Sequence, residues 1–197
     1  MSDNSRKIDD LIDIRIEKLN NFINQGIDPF PHNFDLKDSV SSIVENEKTI
    51  NINDNNLYST AGRIVSIRNM GKAAFINIQS EDDRLQLYMS NKNLDMDESS
   101  YNVYLHNLDI GDILGVEGEM FYTKTKEFTL RCRKVSLLSK NIRPLPNLKE
   151  KEGETFNSFD DIESRYRYRH LDFITNPANK NIFIQRHKII NALREYL

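Results

Sequence analysis

The stretch MGKAAFINIQSEDDRLQLYM, residues 70–89, consists of two short runs of alternating apolar and polar residues around an acidic turn. One face of each run is apolar, and these faces carry Ala74, Ile76, Ile78, Leu85, Leu87 and Met89. A period of two is typical of strands that bury one face, so the stretch predicts a β-hairpin. Phe75 breaks the pattern, because it lies on the polar face together with Asn77 and Gln79.

The same period of two recurs on both sides of this hairpin. It predicts five strands, at about 58–68, 73–79, 84–90, 112–122 and 127–138, with a short helix in ESSYNVYLHNLDIGD between the third and the fourth. Five strands with a helix in that position match the OB-fold, a small, partly open barrel that binds oligonucleotides. We therefore predict a mainly β fold with flanking helices, and a generic five-stranded barrel is the alternative.

Helical periodicity before and after the barrel indicates how the chain is organised. Residues 5–26 carry apolar side chains at helical spacing, and Gly26 is suited to end that helix. The helical pattern of 181–197 keeps its apolar stripe to the last residue, so we expect a longer protein or pairing with a second copy. The predicted domains are a helical extension (1–56), the barrel (57–140), a linker (141–163) and the start of a further domain (164–197).

The composition limits the class of protein. The net charge is −3, so any binding of nucleic acid must come from the local placement of charge. The single cysteine, Cys132, leaves no internal disulfide, and the four histidines have no partners at zinc-ligand spacing. The sequence shows no signal-peptide pattern and no window near the ~18 consecutive apolar residues of a membrane span. We expect a cytoplasmic protein with no metal site.

The exposed face of the hairpin carries a candidate binding surface. If the two runs pair around the turn, Phe75 and Gln86 are diagonal neighbours, and Arg68 of the preceding strand can reach the same face. An aromatic ring stacks on an unpaired base, and an amide and a guanidinium read its edges. Glu127, at the start of the last strand, could accept a hydrogen bond from a base amino group. The alternative is that Phe75 packs under the first helix or against Tyr88.

A second basic feature follows the predicted linker. Arg165, Arg167 and Arg169 alternate with other residues in RYRYRH. These side chains could contact RNA phosphates or pack between two domains, or they could form an ordinary solvated charged stretch.

Several motifs together resemble the N-terminal part of the bacterial-type lysyl-tRNA synthetases, a family of class II aminoacyl-tRNA synthetases. They are AGRIVSIRNMGKAAFINIQ, RLQLYMS, LDIGDILGVEGEMFYTKTKEFTL, LLSKNIRPLP, RYRYRHLDFI and FIQRHKIINALREYL. RYRxRxLD alone also fits aspartyl and asparaginyl relatives, whereas the combination of MGKAAF, GDILGVEG, TKTKE and RPLP points much more specifically to the lysyl family. The resemblance covers nearly the whole chain.

The resemblance implies a role for each candidate residue. The barrel would bind the anticodon of lysine tRNA, with Phe75 and Gln86 around the central base, Arg68 beside them and Glu127 near a neighbouring base. The last helix would be the first half of motif 1, which builds the homodimer interface in that family. The residues of this interface helix are Phe183, Ile189, Ile190 and Leu193. ATP and Mg²⁺ would belong to the full-length enzyme, and the ATP site would lie outside this chain.

Two positions depart from the family pattern. The family usually has glycine where this chain has Lys126, so the turn is strained if it requires a positive φ. His187 stands where a serine is common. Two rival interpretations of function remain: a stand-alone OB-fold that binds single-stranded nucleic acid without sequence preference, and a barrel that binds another protein.

Overall fold

The computed structural model describes residues 3–52, 56–80, 83–146, 148–151, 154–157 and 161–197. The chain divides into two compact units, Met1–Pro144 and Leu145–Leu197. The first unit contains α1 (Asp3–Asn24), α2 (Val40–Glu45), α3 (Glu98–Asn107) and five strands: β1 (Leu57–Asn69), β2 (Ala73–Ser80), β3 (Asp83–Ser90), β4 (Ile113–Tyr122) and β5 (Phe128–Ser139).

The five strands form a closed barrel in the order β1-β2-β3-β5-β4. Neighbours pair antiparallel except β3 and β5, which pair parallel. Closure leaves no free sheet edge, and α3 occupies the connection between β3 and β4. The predicted OB-fold barrel with flanking helices is therefore confirmed.

The barrel interior is filled by the apolar face that the sequence alternation predicted. Its fully buried side chains are Ile64, Ile76, Ile78, Leu85, Leu87, Met89, Leu114, Leu130 and Leu137. Cys132 is also buried, and this burial raises the pKa of its thiol to about 12. The thiol therefore stays protonated at neutral pH and acts as a small apolar core group.

The N-terminal segment packs on the barrel unit through aromatic side chains. Phe22 of α1 is fully buried and meets Tyr104 of α3 edge to face, with ring centroids 5.4 Å apart. Phe34 lies so close to β4 that a Cβ on Gly115 would come within 2.5 Å of its ring. Gly115 is thus required for this close approach.

The second unit contains a two-stranded antiparallel sheet, β6 (Leu148–Lys151) and β7 (Glu154–Asn157), followed by three helices. The helices are α4 (Ile162–Arg167), α5 (Arg169–Thr175) and α6 (Pro177–Tyr196). The small sheet lies inside the segment interpreted from sequence as a linker. Its four-residue strands, LKEK and ETFN, carry no apolar alternation from which they could have been predicted.

None of the helices in the described part of the chain combines the length and apolar character needed to cross a membrane. Within the same residues, no three His, Cys, Asp or Glu side chains are grouped so that they could hold a metal ion.

Candidate nucleic-acid interface

Strand register brings two of the predicted platform residues, Arg68 and Phe75, into one row on the outer surface of the barrel. Arg68 of β1 pairs with Phe75 of β2, Phe75 pairs with Tyr88 of β3, and Tyr88 pairs with Arg131 of β5. Directly paired residues have their side chains on the same face of a sheet, about 4.5–5.5 Å apart at Cβ. The row therefore alternates two cations at its ends with two aromatic rings between them.

A β-bulge in β1 places Arg68 in this row. The pairing of β1 with β2 shifts by one residue between Ile64 and Ser66, so that Ser66 faces Asn77 and Arg68 faces Phe75. Without the extra residue, Arg68 would pair with Ala74, whose side chain is in the core. The bulge thus directs the guanidinium to the surface that carries Phe75.

The aromatic rings of the surface are in contact with one another. The ring centroids of Phe75 and Tyr88 lie 5.1 Å apart, and those of Tyr88 and Phe121 lie 5.9 Å apart. The Arg131 guanidinium lies over the Phe121 ring, 4.5 Å from its centroid. The ring of Phe75 packs against Tyr88, as the alternative interpretation expected. Because Phe75 is only half-buried, the rest of its ring is exposed on the open surface.

The β4–β5 turn places Glu127 beside the row. The Lys126 N–H donates to the Thr123 carbonyl (2.9 Å), and the Thr123 N–H donates to the Glu127 carbonyl (3.1 Å). The Glu127 N–H donates to the Thr123 hydroxyl oxygen (3.0 Å). Lys126 has a φ of 63°, so the turn does require the left-handed conformation at the position where the family usually has glycine.

These elements enclose a groove with a volume of about 660 Å³. All four residues predicted from sequence, Arg68, Phe75, Gln86 and Glu127, line it. The remaining lining includes side chains that the sequence analysis did not assign to a site: Tyr88, Phe121, Lys124 and Arg131. Tyr88 could have been found from the alternation, since it shares the polar face of its strand with Gln86. Arg131 required the β3–β5 pairing, which has no local sequence signal.

The side-chain amide of Gln86 forms a hydrogen bond with a buried hydroxyl group. Its Oε1 lies 2.9 Å from Oγ1 of Thr129, a residue of β5 with no exposed surface.

Three basic side chains (Arg68, Lys124 and Arg131) and one acidic side chain (Glu127) line the groove. The groove therefore has a local positive excess although the chain as a whole carries −3.

The three arginines of RYRYRH lie in the second unit, where each has an intramolecular partner. Arg165 pairs with Asp172 at 2.9 Å, and Arg167 pairs with Glu163 at 2.8 Å. The Arg169 guanidinium lies over the rings of two aromatic residues, Tyr166 and Phe183. The local charges of this segment thus contribute to the packing of its own helices.

Helix α6 carries an exposed apolar face. Of the residues predicted for the dimer interface, Ile189 is 62% exposed, Leu193 is 57% exposed, and Ile190 is exposed to a smaller extent. Phe183 instead packs against Phe173, with ring centroids 4.9 Å apart. Ile182, which is 65% exposed, lies one helical heptad before Ile189 and extends the same face.

The order and pairing of the strands define the closed barrel as an OB-fold, and an aromatic and basic groove lies on its outer surface. Residues 58–138 match the tRNA anti-codon family, described as an OB-fold nucleic acid binding domain.

Longer similarities extend beyond this domain. The lysine–tRNA ligase of Fusobacterium nucleatum subsp. nucleatum is 37% identical over 187 residues, which are 95% of this chain and 35% of that protein. Lysine–tRNA ligases of two strains of Staphylococcus epidermidis are each 38% identical over 199 residues, covering 98% of this chain and 38% of those proteins. The chain is similar to lysine–tRNA ligases over nearly its whole length, as the sequence motifs predicted, and it spans little more than a third of the length of these relatives.

Proposed function

We propose that the barrel groove binds the anticodon loop of lysine tRNA. The observation that carries the proposal is the row Arg68–Phe75–Tyr88–Arg131, in which aromatic rings lie between two cations on an open sheet face. Unpaired bases stack on such rings, and the cations at the ends can contact the flanking phosphates. The match of residues 58–138 to the tRNA anti-codon family supports the same ligand.

The roles within the groove follow from the chemistry of each side chain. Phe75 offers a stacking surface to the central anticodon base, and Gln86 and Arg68 offer hydrogen bonds to its edge. Glu127 is exposed on the turn and can accept a hydrogen bond from the amino group of a neighbouring base.

We infer that the parent enzyme is a lysine–tRNA ligase. The relatives carry that name, and the whole enzyme would join lysine to ATP as an adenylate and then transfer it to the tRNA. ATP and Mg²⁺ are proposed as cofactors of the full-length enzyme, as the similarity to lysine–tRNA ligases implies. This chain alone is expected to bind tRNA without aminoacylating it, and to act in the cytoplasm.

The second unit is proposed to take part in homodimer formation. The exposed face of α6 (Ile182, Ile189 and Leu193) is apolar and would be covered by a second copy. Arg165, Arg167 and Arg169 remain candidates for RNA or interdomain contacts, although their present partners already use part of their binding capacity.

A titration with anticodon stem-loops tests the proposal. The Phe75→Ala variant should lose about 1–3 kcal/mol of binding free energy, because a base loses its stacking partner. That loss corresponds to a roughly 5- to 150-fold weaker Kd, measured by fluorescence anisotropy with the lysine anticodon stem-loop.

The matched control is Phe30→Ala, which removes an exposed aromatic ring that does not line the groove and should leave the Kd unchanged. Equal binding of unrelated single strands would favour a binder without sequence preference. No RNA binding at all, together with capture of a protein on the Phe75 face, would favour the protein-interaction barrel.

A further inference from the structure

Thr129 lies directly behind one of the side chains assigned to base recognition. It pairs with Gln86 in the parallel β3–β5 ladder, so the two side chains lie side by side on the same face. Thr129 has no exposed surface and does not line the groove, whereas Gln86 does. The Thr129 hydroxyl therefore acts on a bound base only through the groove residues that it contacts, which are Gln86 and the backbone of Glu127.

The hydroxyl has one proton and two acceptor oxygens within reach. Gln86 Oε1 lies 2.9 Å away and the Glu127 carbonyl oxygen 3.0 Å away. The Glu127 carbonyl already accepts the Thr123 N–H at 3.1 Å. Gln86 Oε1 has no other hydrogen-bond donor among the described residues, so the pairing that satisfies both acceptors has Thr129 donating to Gln86.

We propose that Thr129 is a positioning residue that holds the Gln86 amide oxygen in the barrel wall, so that the amide NH₂ group faces the groove as a donor. This proposal rests on the proposed function, because the donor acts only if a base occupies the groove. A side chain free to turn over could present either its oxygen or its NH₂ group to a ligand.

The fixed orientation gives the groove a chemical preference. An NH₂ group can donate to a ring carbonyl, as in uracil, but it opposes the amino group that cytosine has at the same position. Uracil should therefore bind better than cytosine opposite Gln86, and this discrimination should depend on the hydroxyl of a residue that touches no RNA.

The test compares stem-loops that differ only by uracil or cytosine at the central anticodon position. In the full 197-residue chain, Thr129→Val keeps the side-chain shape but removes the proton that holds Gln86. The ratio of the two Kd values should fall by about 2- to 10-fold in this variant, the range expected for one hydrogen bond. Thr129→Ser keeps the hydroxyl and should restore the ratio.

Thr60→Val is the matched control, since Thr60 is equally buried but its hydroxyl has no hydrogen-bond partner within the described residues. This variant should bind both stem-loops as the unmodified chain does. An unchanged ratio in Thr129→Val, or an equal loss of affinity for both stem-loops, would overturn the positioning role.

A second measurement needs no RNA and separates this proposal from the proposed function. NMR relaxation of the Gln86 side-chain NH₂ group should show restricted motion in the unmodified chain and in Thr129→Ser, and greater motion in Thr129→Val. Equal mobility in all three proteins would refute the proposal. Failure of the unmodified chain to bind any stem-loop would refute the proposed function, even if this amide is ordered.

Discussion

At the scale of single residues, Lys126 carries backbone strain at the edge of the groove. Its φ of 63° lies in the left-handed region, which costs an L-residue with a Cβ about 1–2 kcal/mol. Glycine adopts this conformation freely but loses more chain entropy on folding. We expect Lys126→Gly to raise the free energy of unfolding by about 0.5–1 kcal/mol, the difference between these two effects, as measured by urea denaturation.

Lys124→Gly provides the comparison within the same turn. Lys124 is exposed and does not have a positive φ, so glycine there brings only the entropy cost and should not stabilise the protein. A stabilisation of equal size in both variants would show that the gain comes from lost charge and not from relieved strain.

At the scale of secondary-structure elements, a buried ion cluster joins α1 and α3 to the ends of β4 and β5. Lys140 has no exposed side-chain surface, and its Nζ donates to the Asn107 carbonyl (2.7 Å), Asp109 (2.6 Å) and Asp112 (2.8 Å). Lys18 of α1 also pairs with Asp109, at 2.5 Å. The cluster therefore fixes the N-terminal helix beside the turn that leads into β4.

Removal of the central cation should destabilise the barrel strongly. Lys140→Met leaves Asp109 and Asp112 without their shared partner and should cost about 3–5 kcal/mol, measured by thermal and urea unfolding. The exposed pair Lys134–Glu117, at 3.0 Å, gives the control, since Lys134→Met should change stability by about 1 kcal/mol or less. Similar losses in both variants would contradict a special role for the buried cluster.

The cluster also predicts how the destabilisation by Lys140→Met depends on pH. Burial opposes ionisation of Asp109, but the hydrogen bonds from Lys140 and Lys18 outweigh it and lower the pKa of the carboxyl group. A carboxyl group whose pKa is lower in the folded state stabilises the protein at pH values above its unfolded-state pKa of about 3.9. That stability is lost as the pH falls through the folded-state pKa. The penalty of Lys140→Met should therefore shrink as the pH falls below about 4.

At the scale of the whole molecule, the division into Met1–Pro144 and Leu145–Leu197 predicts separable properties. A chain that ends at Pro144 keeps the complete barrel and groove, so it should fold and bind the lysine anticodon stem-loop with an affinity close to that of the full chain. It lacks α6 and should be monomeric by light scattering, whereas the full chain should self-associate as its concentration rises.

Ile189→Asp in the full chain is the control for this truncation. It places a charge on the exposed face of α6 and should abolish self-association without changing stem-loop affinity. Loss of RNA binding in the truncated chain would show that residues 145–197 contribute to the interface.

Much of the fold could be read from local patterns, and the failures have a physical cause. The hairpin strands predicted at 73–79 and 84–90 are observed at Ala73–Ser80 and Asp83–Ser90, because each buries one face of a regular alternation. The β6–β7 sheet was missed because its short strands are mostly polar. Arg165, Arg167 and Arg169 alternate in sequence, but they lie on two short helices whose packing uses their charges.

The sequence by itself determined the barrel, its similarity to lysine–tRNA ligases and the surface position of Phe75, since alternation along a strand fixes which side chains leave the core. The sequence placed Arg68 and Gln86 on the same face as this ring, but only the tertiary structure decided which residues pair with the ring and which residues β5 adds to the surface. The bulge near Ile64 sets Arg68 opposite Phe75, and barrel closure sets Thr129 and Arg131 beside β3. The reason is that register between strands distant in sequence depends on closure of the whole sheet, and a shift of one residue moves a side chain to the opposite face.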